Sequence, residues 1–193
     1  SASDRFIQSM TPRMNKYFPY APTIKQQAFL LLREPEALYG GAAGGGKSVA
    51  LLMAALQYVD VPDYNALLLR RTFAQLAKPE ALIDLSHQWL GRTDARYNKS
   101  EHRWRFPGKH QSEASLSFGF LDADSDKYNF QGSAYQFIGF DELTQFKEPA
   151  YRYMFSRKRK SIQLGVPTRI RATSNPGSPG EPWVYQRFFK DQS

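Results

Sequence analysis

No cysteine occurs among the 193 residues, which excludes disulfides and thiolate chemistry. The three histidines, His87, His102 and His110, stand singly and make no metal-ligand spacing. No run approaches the ~18 apolar residues that a membrane-spanning helix needs, and the N-terminus shows no apolar signal segment, so no membrane role is expected. No internal repeat or low-complexity tract is present. Negative charge is the scarcer sign, with 18 Asp and Glu against 26 Lys and Arg, a formal balance of +8. A positive domain attracts polyanions, nucleic acid foremost, although composition alone does not separate this from a generic basic surface. The length and the 41% hydrophobic content suit one α/β core and leave too little chain for two large domains.

What is present is glycine in one place. Gly41-Ala42-Ala43-Gly44-Gly45-Gly46-Lys47-Ser48 satisfies G-x-x-x-x-G-K-[ST], directly after the apolar run Ala37-Leu38-Tyr39 and before the helix-forming run Val49 to Leu56. Glycine lets the backbone approach an anion with no Cβ in the way. The N–H groups from Gly41 to Val49 then surround a β-phosphate, Lys47 reaches the β- and γ-phosphates, and the Ser48 hydroxyl ligates Mg²⁺. A Gly-rich turn that merely caps a helix gives Lys47 no packing role. The motif predicts a nucleoside triphosphate ligand.

Phe137-Ile138-Gly139-Phe140-Asp141-Glu142 is the second signal, an apolar strand ending in two carboxylates. Such a strand mouth is costly unless cations offset the charge. Asp141 is placed to hold Mg²⁺ opposite Ser48, and Glu142 to accept a proton from the attacking water. The plain alternative is an acidic helix cap with Glu142 solvated. An Asp-Glu pair suits an ATPase, and guanine-recognition motifs of the Asn-Lys-x-Asp type are absent. Gln26 is therefore the candidate adenine contact, with Tyr17, Phe18 or Tyr20 beside the ring, or else an ordinary helix glutamine. Asn175 follows a predicted strand and either senses the γ-phosphate or begins an Asn-Pro turn. Arg70 and Arg71 end another strand at the same sheet edge, as phosphate sensors, neighbour contacts or solvated strand ends.

Along the chain, residues 1–22 read as an irregular arm packing by its aromatics, and residues 23–193 as the ATPase domain. Thr23 caps a helix ending near Arg33. Strands are predicted at 37–39, 66–69, 137–140 and 168–173, with helices after the glycine loop, from Thr72 with a break near Pro79, and over 148–159 with a charged end at Arg157-Lys158-Arg159-Lys160. Residues 103–106 and 115–120 alternate as antiparallel strands around a Pro107-Gly108-Lys109 turn. The fold class is α/β: a P-loop NTPase of the ASCE, RecA-like kind, with a mostly parallel sheet between helices and an antiparallel strand extension.

These residues resemble the N-terminal ATPase domain of the large terminase subunit of tailed bacteriophages. The resemblance rests on Pro22 to Gln27 as adenine motif, Tyr39 to Ser48 as Walker A, Leu68 to Leu76 after the second strand, Gly139 to Thr144 as Walker B, and Thr173 to Gly177 as coupling motif. It implies an ATP- and Mg²⁺-dependent motor, commonly a pentameric ring on the capsid portal protein. That motor pumps double-stranded DNA in the host cell cytoplasm during assembly, with the terminase small subunit as partner. It makes Lys47, Asp141 and Glu142 catalytic, Asn175 the coupling residue and Gln26 the adenine contact. Relatives carry a C-terminal nuclease for which residues 23–193 leave no room. Some also place an arginine where this chain has Gln131 before Gly132, so Arg157 or Arg159 is the candidate trans-acting finger. A helicase-like nucleic-acid-stimulated ATPase shares the same two motifs. A nucleotide-gated assembly module without useful turnover is the non-enzymatic reading, and Glu142 argues against it.

Overall fold

The computed structural model describes residues 10–41, 46–160, 164–175 and 182–190. Within them the elements are α1 (Ile24–Leu31), β1 (Glu36–Gly40), α2 (Lys47–Leu56), β2 (Asn65–Arg70), α3 (Phe73–Ala77), α4 (Leu82–Leu90), β3 (Arg96–Asn98), β4 (Arg103–Phe106), β5 (Ala114–Phe120), β6 (Phe137–Phe140), α5 (Glu148–Phe155), β7 (Arg169–Ser174) and α6 (Pro182–Tyr185). The strands form one sheet in the order β1-β7-β6-β2-β5-β4-β3. The pairs from β1 through β5 are parallel, and β4 and β3 add an antiparallel edge. The expected α/β class is the one observed.

Alternation along the central strands divides the core. Ala66, Leu68 and Phe137 pack with α1, α2 and α4, while Leu67, Leu69, Ile138, Phe140, Ile170 and Ala172 pack with Tyr151 and Met154 of α5. With both faces covered, β2 and β6 read as unbroken apolar runs. β7 departs from this, because Arg169 and Arg171 are buried on the α2 face. Arg169 donates to Ala54 O at 3.1 Å and Gln57 Oε1 at 2.7 Å, and Arg171 donates to Leu32 O at 3.0 Å. Each guanidinium thus supplies a cation and donors to the carbonyl end of one helix, α2 or α1. Burial pushes Arg171 down to about 10.

The helix predicted over 148–159 stops at Phe155. Beyond the buried Tyr151 and Met154 the basic run has nothing to bury, and its backbone pairs instead with the chain entering β6. Tyr135 N donates to Arg157 O at 2.9 Å, and Arg159 N donates to Tyr135 O at 2.8 Å. The link between β4 and β5 is a longer loop with a tight turn at Lys109–Gln111, not a three-residue turn. β3 escaped the sequence because its three residues are half-exposed or exposed and carry no apolar alternation.

Residues 10–22 contain no helix or strand, yet they are tied to the core. Tyr17 is buried edge-on against Phe106 at 4.9 Å, and Arg13 donates to Asp60 while Asn15 donates to Leu56 O at the end of α2.

Candidate active site

The site lies at the carboxyl ends of β2, β6 and β7, on the face covered by α2. Register pairs Leu69 with Phe140 and Phe140 with Ala172, so one residue further on Arg70, Asp141 and Thr173 stand in a row. The strand period of two turns all three toward α2. Parallel register therefore gathers a cation, a carboxylate and a hydroxyl from widely separated segments.

Asp141, 2% exposed, is the centre of this row. Its Oδ2 accepts from Ser48 Oγ at 3.0 Å and from Arg70 Nη1 at 3.2 Å, and its Oδ1 accepts from Thr173 Oγ1 at 2.7 Å. α2 approaches closely enough for Ser48 to reach it because Gly139 lies beneath: a Cβ there would sit 2.6 Å from Leu68 Cδ2 and 3.1 Å from Leu51 Cδ1.

Glu142 leaves the strand in the left-handed region, at φ 57° and ψ 66°, a conformation that costs a non-glycine residue ~1 kcal/mol or more. Its N–H donates to Thr173 Oγ1 at 2.9 Å, which fixes the kink. The turn swings its carboxylate away from the packed face. There Oε2 accepts from Gln145 Nε2 at 2.7 Å and faces Arg70 Nη2 at 3.5 Å. Arg70 thus bridges both carboxylates, which is the compensation such a strand mouth requires.

Lys47 opens α2, is largely buried, and donates to Gly41 O at 3.2 Å and to Asn175 Oδ1. Asn175 is therefore in contact with the phosphate-loop lysine. Gly41, Gly46, Ser48 and Val49 flank the loop, while Ala42, Ala43, Gly44 and Gly45 lie outside the described residues, as do Pro176 and Gly177. Gln26 is buried. Its Oε1 accepts the Thr23 N–H at 2.9 Å as part of a capping box, and its Nε2 donates to Gly46 O at 3.3 Å, joining α1 to the loop. Tyr17 and Tyr20 are not beside Gln26: they are committed to Phe106 and Trp89, and Tyr17 is too buried to stack on a base.

Arg157 and Arg159 lie at the opposite end of β6, beside Tyr135, about 20 Å from Asp141 at ~3.3 Å per strand residue. Within this chain they do not join the site, and Arg70 is the guanidinium that does. Arg71 points to the other face and pairs with Asp122 at 3.5 Å.

Four residues escaped the sequence reading. Thr173 was legible as a strand residue only. Gln75 was absorbed by its capping box with Thr72, Gln145 carries no motif, and Lys25, which donates to Gly40 O at 2.5 Å beside the loop, was hidden in the Gln26 block.

One hydroxyl and one buried carboxylate facing each other fit a hard cation that takes its remaining ligands from phosphate and water. Among the described residues no cluster of three or more His, Cys, Asp or Glu exists to cage a metal without them. Arg70 on the same carboxylate shows that the position accepts positive charge.

The family model described as terminase large subunit, T4likevirus-type, N-terminal, matches residues 38–190. Among solved structures the chain is similar to the large terminase ATPase domain of Thermus phage P74-26, with a TM-score of 0.61 and 15% identity, covering 95% of this chain and 72% of that one. It is similar to the large terminase of the HK97 bacteriophage at a TM-score of 0.60 and 11% identity, covering 89% of this chain and 37% of that one. For a full large terminase from another thermophilic bacteriophage the TM-score is 0.58 at 14% identity, covering 78% of this chain and 35% of that one. The chain thus spans about a third of that protein. At these identities the likeness concerns the fold. No curated protein matches the sequence.

Proposed function

This chain belongs to the terminase large-subunit family, T4likevirus-type, N-terminal part, and from that premise we propose that it hydrolyses ATP to drive double-stranded DNA into a viral capsid. The observation that supports this best is the 3.0 Å contact between Ser48 and Asp141, which joins the phosphate-loop helix to the carboxylate strand. In this reading Lys47 and the loop N–H groups bind the β- and γ-phosphates, and Ser48 and Asp141 hold Mg²⁺. When bound, Mg²⁺ neutralises phosphate charge and orients the phosphates for in-line attack. Glu142 orients a water and takes its proton, and Arg70 offers a guanidinium to the charge that develops. Asn175, already on Lys47, carries the state of the γ-phosphate into β7. Gln26 serves the adenine side of the loop while pinning it to α1.

The large terminase of the thermophilic bacteriophage that aligns over 78% of this chain has also been solved with ADP and with ATP-gamma-S, which favours the same nucleotide class here. The net charge of +8 suits a polyanionic track. The partners proposed are double-stranded DNA, the portal protein, the terminase small subunit and further copies of this chain in a pentameric ring, acting in the host cytoplasm. Among the described residues no helix is long and apolar enough to cross a membrane. In such a ring Arg157 and Arg159 serve only a neighbour's site.

Steady-state ATPase with and without double-stranded DNA is the test. Lys47→Ala is expected to lose nucleotide binding, and Glu142→Gln to retain bound ATP with turnover reduced about 100-fold or more. Turnover by Glu142→Gln at the parent rate would remove the assignment.

A further inference from the structure

Glu142 is not held by Arg70 alone. A chain of side-chain amides runs to it from the start of α3. Thr72 N donates to Gln75 Oε1 at 3.2 Å, Gln75 Nε2 donates to Gln145 Oε1 at 3.0 Å, and Gln145 Nε2 donates to Glu142 Oε2 at 2.7 Å. An amide can face either way, but the two ends of this chain cannot. A backbone N–H only donates and a carboxylate only accepts. Both ends therefore impose the same orientation on both glutamines, and no flipped arrangement satisfies all three bonds.

We propose that Gln75 and Gln145 are positioning residues for the catalytic base, through the directed relay Thr72–Gln75–Gln145–Glu142. This rests on the reading of Glu142 as the base. Gln145 and Arg70 both engage Oε2, while among the described residues Oε1 has no hydrogen-bond partner. The relay anchors one carboxylate oxygen and leaves the other to take the proton from water. Gln145 sits in the tight turn Leu143–Gln145 directly after Glu142, so the bond also stabilises the left-handed kink. Gln75 lies in α3, just past Arg70 and Arg71 at the end of β2. A displacement of that β2–α3 junction is transmitted to the base through two amides, without passing through the phosphate loop.

Two substitutions in the 193-residue chain test the relay. Gln145→Leu removes the donor to Glu142 while keeping the side chain's length. Gln75→Glu keeps an oxygen for the Thr72 N–H, and so keeps the helix cap, but offers no donor to Gln145. Its carboxylate turns the Gln145 amide around and aims an oxygen at Glu142. Each is expected to lower kcat for ATP about tenfold or more with KM changed less than about twofold, because the base is misaligned while the nucleotide contacts remain. The double variant should be no slower than Gln145→Leu, since the second change acts only through the first. Additive losses, an unchanged kcat in Gln75→Glu, or a loss confined to KM would overturn the relay.

A readout independent of hydrolysis separates this from the functional reading. The Gln145 side-chain amide signals in a ¹H–¹⁵N spectrum, identified by their disappearance in Gln145→Leu, should shift in both Gln75→Glu and Glu142→Ala. Signals that stay in place in either variant overturn the relay whatever the turnover. A parent chain with no ATPase but with both shifts overturns the proposed function and leaves the bonded chain standing.

Discussion

Thr173 Oγ1 donates to Asp141 Oδ1 at 2.7 Å while accepting the Glu142 N–H at 2.9 Å. One fully buried hydroxyl therefore fixes both the proposed metal carboxylate and the backbone of the proposed base. It also links them to β7, the strand that leads to Asn175.

Thr173→Val keeps the shape of the side chain and deletes both bonds. It should cost about 1–3 kcal/mol in urea unfolding, because the Asp141 and Glu142 groups lose a partner in a buried setting. Thr173→Ser retains the hydroxyl and should lose less than half of that. ATPase measured on the same samples should follow the same order.

Arg70→Ala removes the guanidinium from two carboxylates, one of them almost fully buried. Breaking such a pair leaves uncompensated charge, and a loss of about 3 kcal/mol is expected. Mg²⁺ should restore stability to this variant more than it stabilises the parent, since a cation on Asp141 replaces what was lost. Thermal unfolding with and without Mg²⁺ checks this; equal metal responses in the two proteins would remove Arg70 from the cation balance of the site.

Gly139→Val places a branched side chain against Leu68 and Leu51, where even a Cβ would lie 2.6 Å and 3.1 Å away. Overpacking of this kind costs about 1–3 kcal/mol. Its particular consequence is that α2 must move off the sheet, lengthening the Ser48–Asp141 contact. Denaturant unfolding should show the stability loss, and titration calorimetry should show weakened Mg²⁺·ATP binding. A variant that is destabilised but binds Mg²⁺·ATP normally would show that the close packing serves the core alone.

Asp94 receives hydrogen bonds from Lys16 Nζ at 2.6 Å and Tyr17 Oη at 2.7 Å, which hold its carboxyl below the ordinary value of 3.8. The unfolded chain therefore binds a proton more readily than the folded one. The stability from these bonds is present above about pH 3.8 and is lost as pH falls below it through the folded value. Asp94→Asn should lower the denaturant midpoint at pH 7, and the gap to the parent should narrow at pH 3. A gap that stays constant between the two pH values would detach Asp94 ionisation from the docking of residues 10–22.

The phosphate loop, the Asp-Glu strand end and the α/β class were legible because each is encoded in a short contiguous stretch whose local geometry follows from residue type. Glycines permit the turn, Thr23 and Thr72 cap helices, and unbroken apolar runs mark strands covered on both faces. Sequence alone also brought Lys47, Ser48, Asp141 and Glu142 to one site, since strand, loop and helix order dictates which sheet edge carries them. Register across the sheet decided the rest. Leu69 beside Phe140 beside Ala172 puts Arg70 and Thr173 on either side of Asp141, and nothing in their own segments marks them for that task. The same separation kept Gln145 and Gln75 out of sight, because their bond spans 70 residues. It also removed Arg157 and Arg159 from this chain's own site. Their basic run forms no helix end, since the backbone finds partners at Tyr135 instead, on the far side of the sheet. Local chemistry chose the motifs, and the pairing of distant strands chose which side chains attend them.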